Sequence, residues 1–437
     1  MLAANCMAAT HYVRPSSAGA SDPYTSWGTA GTSIITVVNA ALTNTGTKVI
    51  WVTNGTYYLS NQVAVSSALT LQSVNGRDVT IVDGNNYDGK PVSNRCFYLT
   101  ASGTVLDGFT LTNGFMNNAL GGGGGVYCAA GVTVKNCRIT GCVGTNFDIA
   151  YPNPGWENSF VKGPGVYVTG GVVTNCEIIG NSNYNYYASV YAGGAALVVD
   201  CTIANNITHK GLGGEGFAAG IWGIGAGTVI ENCKIYGNTT TGYGMYGGGV
   251  GLEDYAIVRN SLVYGNSSSF GGGIAMYGFA GVKIQSCTVV SNTASDIGGG
   301  IFMMAVNGLT SYVENTVSYF NTCAGSSNIG WTTFGPPYTG SYQIVNSCIA
   351  PTNAFKTTGI VGYYYVNNIE VNPQFAGKDT GDWRLTKTSP CVNAGTNETW
   401  MDGMVDLDLH SRIDRFARIV DMGCYEYLPR GTMVSGR

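Results

Sequence analysis

The stretch "TVIENCKIYGN" at residues 228–238 returns along the chain in altered copies. "VTVKNCRITGC" occupies 132–142, "GVVTNCEIIGN" 171–181 and "AIVRNSLVYGN" 256–266. Each copy holds a β-branched run, a polar anchor, a small residue, an aliphatic position and, in most, a closing Asn. The anchors Asp107, Asn136, Asn175, Asp200, Asn232, Asn260, Ser286 and Asn315 are followed six positions later by Asn113, Cys142, Asn181, Asn206, Asn238, Asn266, Asn292 and Asn321. Asn346 opens a weaker ninth copy. Successive anchors lie 25 to 39 residues apart, the range of a solenoid whose coils carry variable insertions.

The columns explain the repeat. After the anchor stand Gly108, Cys137, Cys176, Cys201, Cys233, Ser261, Cys287, Thr316 and Ser347. Two residues later stand Ile139, Ile178, Ile203, Ile235, Val263, Val289 and Ile349. Such alternation is a strand with one buried face. A free Cys packs as a small hydrophobe, so a Cys column with strands ~4.8 Å apart fits a narrow interior. The spacing holds no zinc motif. The closing Asn is expected to make the turn, because Asn tolerates left-handed backbone, and to bond amide to amide along the axis.

A second strand in each coil is led by glycines: "GGGVYC" (123–128), "GPGVYV" (163–168), "AGIWGI" (219–224), "GGGVGL" (247–252), "GGGIAM" (271–276) and "GGGIFM" (298–303). Its inward positions are Val126, Val166, Ile221, Val250, Ile274 and Ile301. Its outward positions are Tyr127, Tyr167, Trp222, Gly251, Ala275 and Phe302. Glu231, Arg259, Gln285 and Glu314, just before the anchors, read as a solvated face with weak cross-coil pairs.

Composition agrees with a turn-rich β protein. Gly is 65 of 437 residues, Pro only 12 and Tyr 28, and charged residues are 11%. Disordered chains have the opposite bias. The net charge of −4, without a basic block, makes nucleic acid a poor partner. No apolar run reaches the ~20 residues of a membrane span. "MLAANCMAATHYV" at the start resembles the small-residue end of a secretory signal, so export is expected.

Coils of this length, with Asn and aliphatic columns, resemble the right-handed parallel β-helix superfamily, the pectate-lyase-like fold. The glycine-led strands and closing Asn also look like polymorphic outer-membrane protein repeats. "HYVRPSSAGASDPYTSWGTA" (11–30), "ITVVNAAL" (35–42) and "KVIWVTNGTYYLS" (48–60) are similar to the N-terminal cap of secreted β-helix proteins. "NPQFAGKDTGDWRLTKTSPCVNAGTN" (372–397), "DLDLHSRI" (406–413) and "VDMGCYEY" (420–427) resemble the closing module of bacterial choice-of-anchor Q domain proteins. The resemblance implies an all-β chain: one right-handed parallel β-helix with an N-terminal capping helix and a C-terminal capping module. Residues 1–60 would be leader remnant and cap, 61–350 the coils and 351–437 the closing module. It implies a bacterial protein, secreted or on the cell surface. That family has no single activity, and no catalytic residue is carried over. Where its closing motif has Ala, this chain has Cys391 and Cys424. Their two matching positions imply a disulfide tying the cap, formed if the protein is exported.

Three insertions, at 143–162, 182–192 and 207–217, leave the same corner on consecutive coils. They are expected to meet above the strand that shows Tyr127, Tyr167 and Trp222. They carry Tyr151, Trp156, Tyr184, Tyr186, Tyr187 and Tyr191, with Asp148, Glu157, Lys162, His209, Lys210 and Glu215. Aromatic surface beside a few polar groups suits sugars, so an extracellular glycan is the expected partner. In one reading the protein cleaves a polysaccharide. A lyase would use His209 or Lys210 as base and Lys162 or a bound Ca²⁺ to neutralise a carboxylate. A hydrolase would use two carboxylates, about 5 Å or 6.5–9.5 Å apart, drawn from Asp148, Glu157 and Glu215, with Glu253 and Asp254 on the next coil. In the other it is a surface adhesin or matrix protein holding glycan through Tyr127, Tyr167, Trp222, Trp156, Tyr186, Tyr187 and Tyr191. Convergence of the charged groups favours catalysis; a stripe of tyrosines without it favours binding.

Overall fold

A computed structural model describes residues 9–85, 94–117, 121–145, 161–184, 186–210, 216–277, 281–305, 310–324, 328–333, 341–350, 362–413 and 418–428. Four long parallel sheets run along the molecule, each strand paired with its counterpart one coil earlier and one coil later. One coil shows the path. Val229–Glu231, Lys234–Tyr236, Thr239–Thr241, Met245–Tyr246 and Val250–Glu253 follow each other. Ile257–Arg259 then lies in register on Val229–Glu231. By their sequence landmarks these are the anchor sheet, the cysteine sheet, the corner sheet (which takes two of the five strands) and the glycine sheet.

The in-register pairing turns each sequence column into a physical stack. Cys137, Cys176, Cys201, Cys233 and Cys287 all lie inside and are free. Each thiol donates to the carbonyl two residues back, as Cys201 Sγ does to Val199 at 3.2 Å. Ser261 and Thr316 continue the stack with hydroxyls that make the same bond, to Arg259 and Glu314. Burial pushes the Cys137, Cys176 and Cys201 thiols far above their ordinary range. They are packing groups with no nucleophilic character.

The Asn ladder is equally regular. Asn181, Asn206, Asn238, Asn266, Asn292 and Asn321 each pass an amide hydrogen to the next Asn carbonyl oxygen, ending on Asn328, at 2.9–3.1 Å. Asn238 is typical. Its Oδ1 accepts from the backbone N–H and the Nδ2 of Asn206. Its Nδ2 donates to Ile203 O and to Asn266 Oδ1. All four positions of the amide are used, which is the condition for burying it without penalty.

The expected left-handed turn is found at Asn113, at φ 53°, but in the later coils it falls elsewhere. It sits one residue earlier, at Gly180, Asn205, Gly237, Gly265 and Ser291, and at the anchors themselves, such as Asn232 at φ 56°. The bend is completed before the ladder Asn, whose amide then points inward.

The ends differ from expectation. The coil starts before residue 61, because Lys48–Val52 already pairs in parallel with Thr70–Ser73. It continues past 350, because Gly362–Val366 pairs with Ser341–Val345. One helix, Ile34–Leu42, buries Ile34, Val37, Val38 and Ala41 against the first strands, with Ser33 accepting from Thr36 N–H at its start.

The C-terminal segment packs along the flank of the coil. Leu262 and Val290 of the cysteine sheet cluster with Trp383, Cys424 and Tyr425. Asn260 donates to Val405 O at 2.7 Å, Gln285 to Glu398 at 2.6 Å and Asn315 to Thr396 O at 2.9 Å. This module also corrects the solvated-face reading. Glu231 and Gln285 are buried under it. Glu231 holds Arg259 in a two-pronged ion pair at 3.1 Å, and Arg259 lies 4.6 Å over the Trp400 ring.

The Cys391–Cys424 disulfide is not formed: both thiols are free. They sit in different apolar clusters, Cys391 with Val317, Cys348 and Met422, and Cys424 with Leu262 and Trp383.

Two substitutions test this account of the interior. Asn238→Ala leaves four hydrogen-bonding groups without their partner and should cost about 3 kcal/mol or more. Cys201→Ser places a hydroxyl where Ser261 already makes the equivalent bond and should cost under about 1 kcal/mol. Urea midpoints of the two variants decide the ranking.

Candidate functional site

The outward column of the glycine sheet forms the main aromatic feature. Register places Tyr98, Tyr127, Tyr167, Tyr191 and Trp222 on five successive strands, so their Cα atoms repeat at the ~4.8 Å strand spacing. Tyr98 and Tyr127 have ring centroids 4.8 Å apart. Tyr127 and Tyr167 stack at 5.2 Å and 9°, and Tyr167 and Tyr191 at 5.0 Å and 6°. Rings so close and parallel cover much of one another's faces. The ladder therefore offers ring edges and phenol groups, not the flat faces expected for sugar stacking. Burial raises the Tyr127, Tyr167 and Tyr191 phenols, so they stay protonated.

Charged groups flank the ladder. The Arg95 guanidinium lies 4.6 Å from the Tyr98 ring centre and 5.6 Å from that of Tyr127. Lys162 Nζ lies 5.2 Å from the Tyr187 ring centre and 5.0 Å from that of Tyr191. Such cation–ring contacts fix the long side chains over the column. At the other end Trp222 is fully buried, against Phe217, Tyr277, Ala188 and Ala218. Gly251 on the next strand makes its position possible: a Cβ there would stand 2.0 Å from the indole. The indole N–H donates to Glu253 Oε2 at 3.2 Å.

Glu253 is the chemically distinctive group. Burial, with the neighbouring Asp254 charge, pushes its carboxyl up to about 7, against the pull of the Trp222 hydrogen bond and the Lys162 charge. A carboxyl poised there can hold or release a proton at neutral pH.

The predicted site residues divide. Tyr127, Tyr167, Tyr187, Tyr191 and Lys162 come together, with Tyr191 in a strand and not in the overhanging loop. Trp222, Tyr186 and Tyr191 are buried and closed to a ligand as the coil stands. His209 lies apart in the corner sheet, stacked on Tyr184 at 4.4 Å with Nδ1 2.9 Å from Thr241 Oγ1. Lys210 follows it, exposed, beside Gly242. Among the described residues, their contacts are with Tyr184, Thr241 and Gly242 and not with the ladder phenols. Asp148, Tyr151, Trp156, Glu157 and Glu215 lie outside the described residues. Tyr98 and Arg95 escape the sequence pattern because "RCFYL" (95–99) has the right alternation but no leading glycines. Among the described residues, no three His, Cys, Asp or Glu side chains cluster closely enough to hold a metal ion.

Glu253 gives a pH prediction. Its folded pKa of about 7 lies above the ordinary 4.5, so the neutral carboxyl is the form folding favours. That contribution is complete below about 4.5 and lost as pH rises through about 7. Glu253→Gln should therefore gain on the parent by up to about 3 kcal/mol across that interval and hold the gain above it. Urea unfolding at pH 4.5, 6 and 8 measures the difference.

Comparison with known proteins adds the handedness. The family model described as "Right handed beta helix region" matches residues 157–372. No curated protein matches the chain. Among solved structures it is similar to pectate lyase Pel9A, with 15% identity, 95% of this chain and 96% of that one covered, and a TM-score of 0.47. A mannuronic-acid-specific family 6 polysaccharide lyase from human gut microbiota gives 10% identity, 82% and 86% coverage and a TM-score of 0.39. A family 6 polysaccharide lyase from Pseudopedobacter saltans gives 12%, 83% and 97%, and 0.40. No reaction is inferred from likeness at this level. The parallel coil and the family-model match together give the fold: a right-handed parallel β-helix.

Proposed function

We propose that the chain is an exported bacterial protein that holds an extracellular polysaccharide along the ladder of Tyr98, Tyr127 and Tyr167. One observation carries the reading: a phenol repeats once per coil at a near-constant step, with Lys162 beside it. A polymer laid along the coil axis meets equivalent hydrogen-bonding groups at each step, as a small ligand would not. The edge-on rings favour hydrogen bonds to sugar hydroxyls over ring stacking. Binding without cleavage is the first reading, because the repeated groups on the glycine sheet are phenols, while His209 belongs to the corner sheet.

Glu253 supports a second reading, cleavage of the bound polymer. Its poised carboxyl at the Trp222 end would transfer the proton, and Lys162 would balance charge on the substrate. Calcium enters this reading as a possible neutraliser and is supplied and withheld in the assay.

Native affinity electrophoresis through gels containing acidic or neutral polysaccharides tests binding. At least one polymer should retard the protein, and Tyr127→Ala/Tyr167→Ala should weaken that retardation about tenfold or more. Equal retardation of the two proteins would refute the ladder. Absorbance near 235 nm and reducing ends, followed together, separate lyase from hydrolase. Product lost in Glu253→Gln supports the second reading; no product with any retained polymer removes it.

A further inference from the structure

We propose that the outer face of the anchor sheet is a docking surface for a second copy of this chain, laid antiparallel to the first. Between Val105–Asp107 and Ile257–Arg259 each anchor strand buries its middle residue and turns its first and third outward. In-register pairing makes two outward columns. The first reads Val105, Thr133, Val172, Leu197, Val229 and Ile257, all partly exposed. Single apolar residues are ordinary on a surface, but an unbroken uncharged row across six rungs is a patch of the kind that meets a partner. At ~4.8 Å per rung it runs about 24 Å.

The second column points to the partner. On the same rungs it reads Asp107, Lys135, Thr174, Val199, Glu231 and Arg259. Lys135 pairs with Asp107 at 3.2 Å, and Arg259 with Glu231 at 3.1 Å. The signs along the coil are negative, positive, two neutral, negative, positive. Read backwards, that order is its own complement.

With coils aligned, two copies can meet face to face about a twofold axis in two ways. An axis along the coil sets every rung opposite itself, so no charge stands directly opposite its counter-charge. An axis along the strands, passing between the Val172 and Leu197 rungs, reverses the order. It lays the uncharged row on the uncharged row, with Val172 against the second copy's Leu197. It also turns Asp107 toward the second copy's Arg259 and Lys135 toward its Glu231. Trp400 covers Arg259, so these charges orient the two copies from the ends while contact is made at the centre. An interface of this length belongs to the small, reversible class. The inference is independent of any glycan activity.

Sedimentation equilibrium of the full chain from about 1 to 200 μM tests it, the range in which a small interface dissociates. The parent should pass from monomer mass to dimer mass. Leu197→Lys sets two ammonium groups about one rung apart across the axis and should weaken association about tenfold or more; Val172→Glu should do the same with two carboxylates. Mixed in equal amounts, the two variants should dimerise, because the introduced ammonium of one faces the introduced carboxylate of the other. Both positions face outward, so urea midpoints close to the parent's establish that the variants are folded. A parent that stays monomeric, a parent dimer that Leu197→Lys leaves intact, or a mixture of folded variants that stays monomeric would overturn the proposal. The parent's mass is read without any variant, so it bears on the proposal even where a variant fails to fold.

Discussion

Each coil is tied to the next by a buried amide that uses all of its hydrogen-bonding positions, and this fixes more than stability. An Asn shifted by one residue would leave four groups unpaired in an apolar interior, an expensive error. The ladder therefore sets register, and register decides what stacks on what. The thiol column inside and the tyrosine column outside follow from the same constraint. A functional row of phenols needs no dedicated scaffold here, because the coil repeats any outward residue at strand spacing.

The flank module shows the coil's outer surface doing two jobs. On the cysteine sheet, outward Leu262, Val290 and Val317 are apolar and covered by Trp383, Tyr425 and Met422. On the anchor sheet, Glu231 and Arg259 form a covered ion pair capped by Trp400. The glycine sheet is covered only in part. Its later rungs are shut by Tyr246, Phe270 and Phe302, and its earlier rungs leave Tyr127 and Tyr167 partly open. The boundary between open and shut falls at Tyr191, beside Trp222 and Glu253, which is where a titratable group meets the end of the tyrosine row.

Much of the interior is legible in sequence because it is written in columns. Cys201, Ile203 and Asn206 have equivalents in neighbouring coils, and repetition identifies their roles without coordinates. The left-handed residue is misassigned from sequence in most coils because Asn occupies both the anchors and the ladder, and the residue before the ladder varies among Gly, Asn, Ser and Phe. The flank module is misread because its contacts, such as Asn260 with Val405 and Thr288 with Cys424, join residues more than 130 apart in sequence. No local period reports such contacts. At the site, Tyr127 and Tyr167 are visible as outward positions. Their edge-on stacking is not, because ring orientation depends on the packing of successive coils. Trp222 looks like a surface aromatic because Gly251, which lets it lie down, is on the following coil.

The central claim is that the tyrosine row acts as a linear rail for a polymer. The direct measurement is calorimetric affinity against oligosaccharide length, using the polymer that retards the protein in a gel. Affinity should climb through about three sugar residues, in keeping with three partly open tyrosines at successive strand steps, and then level off. An affinity that is complete with one or two residues would mean a compact pocket and would contradict the rail.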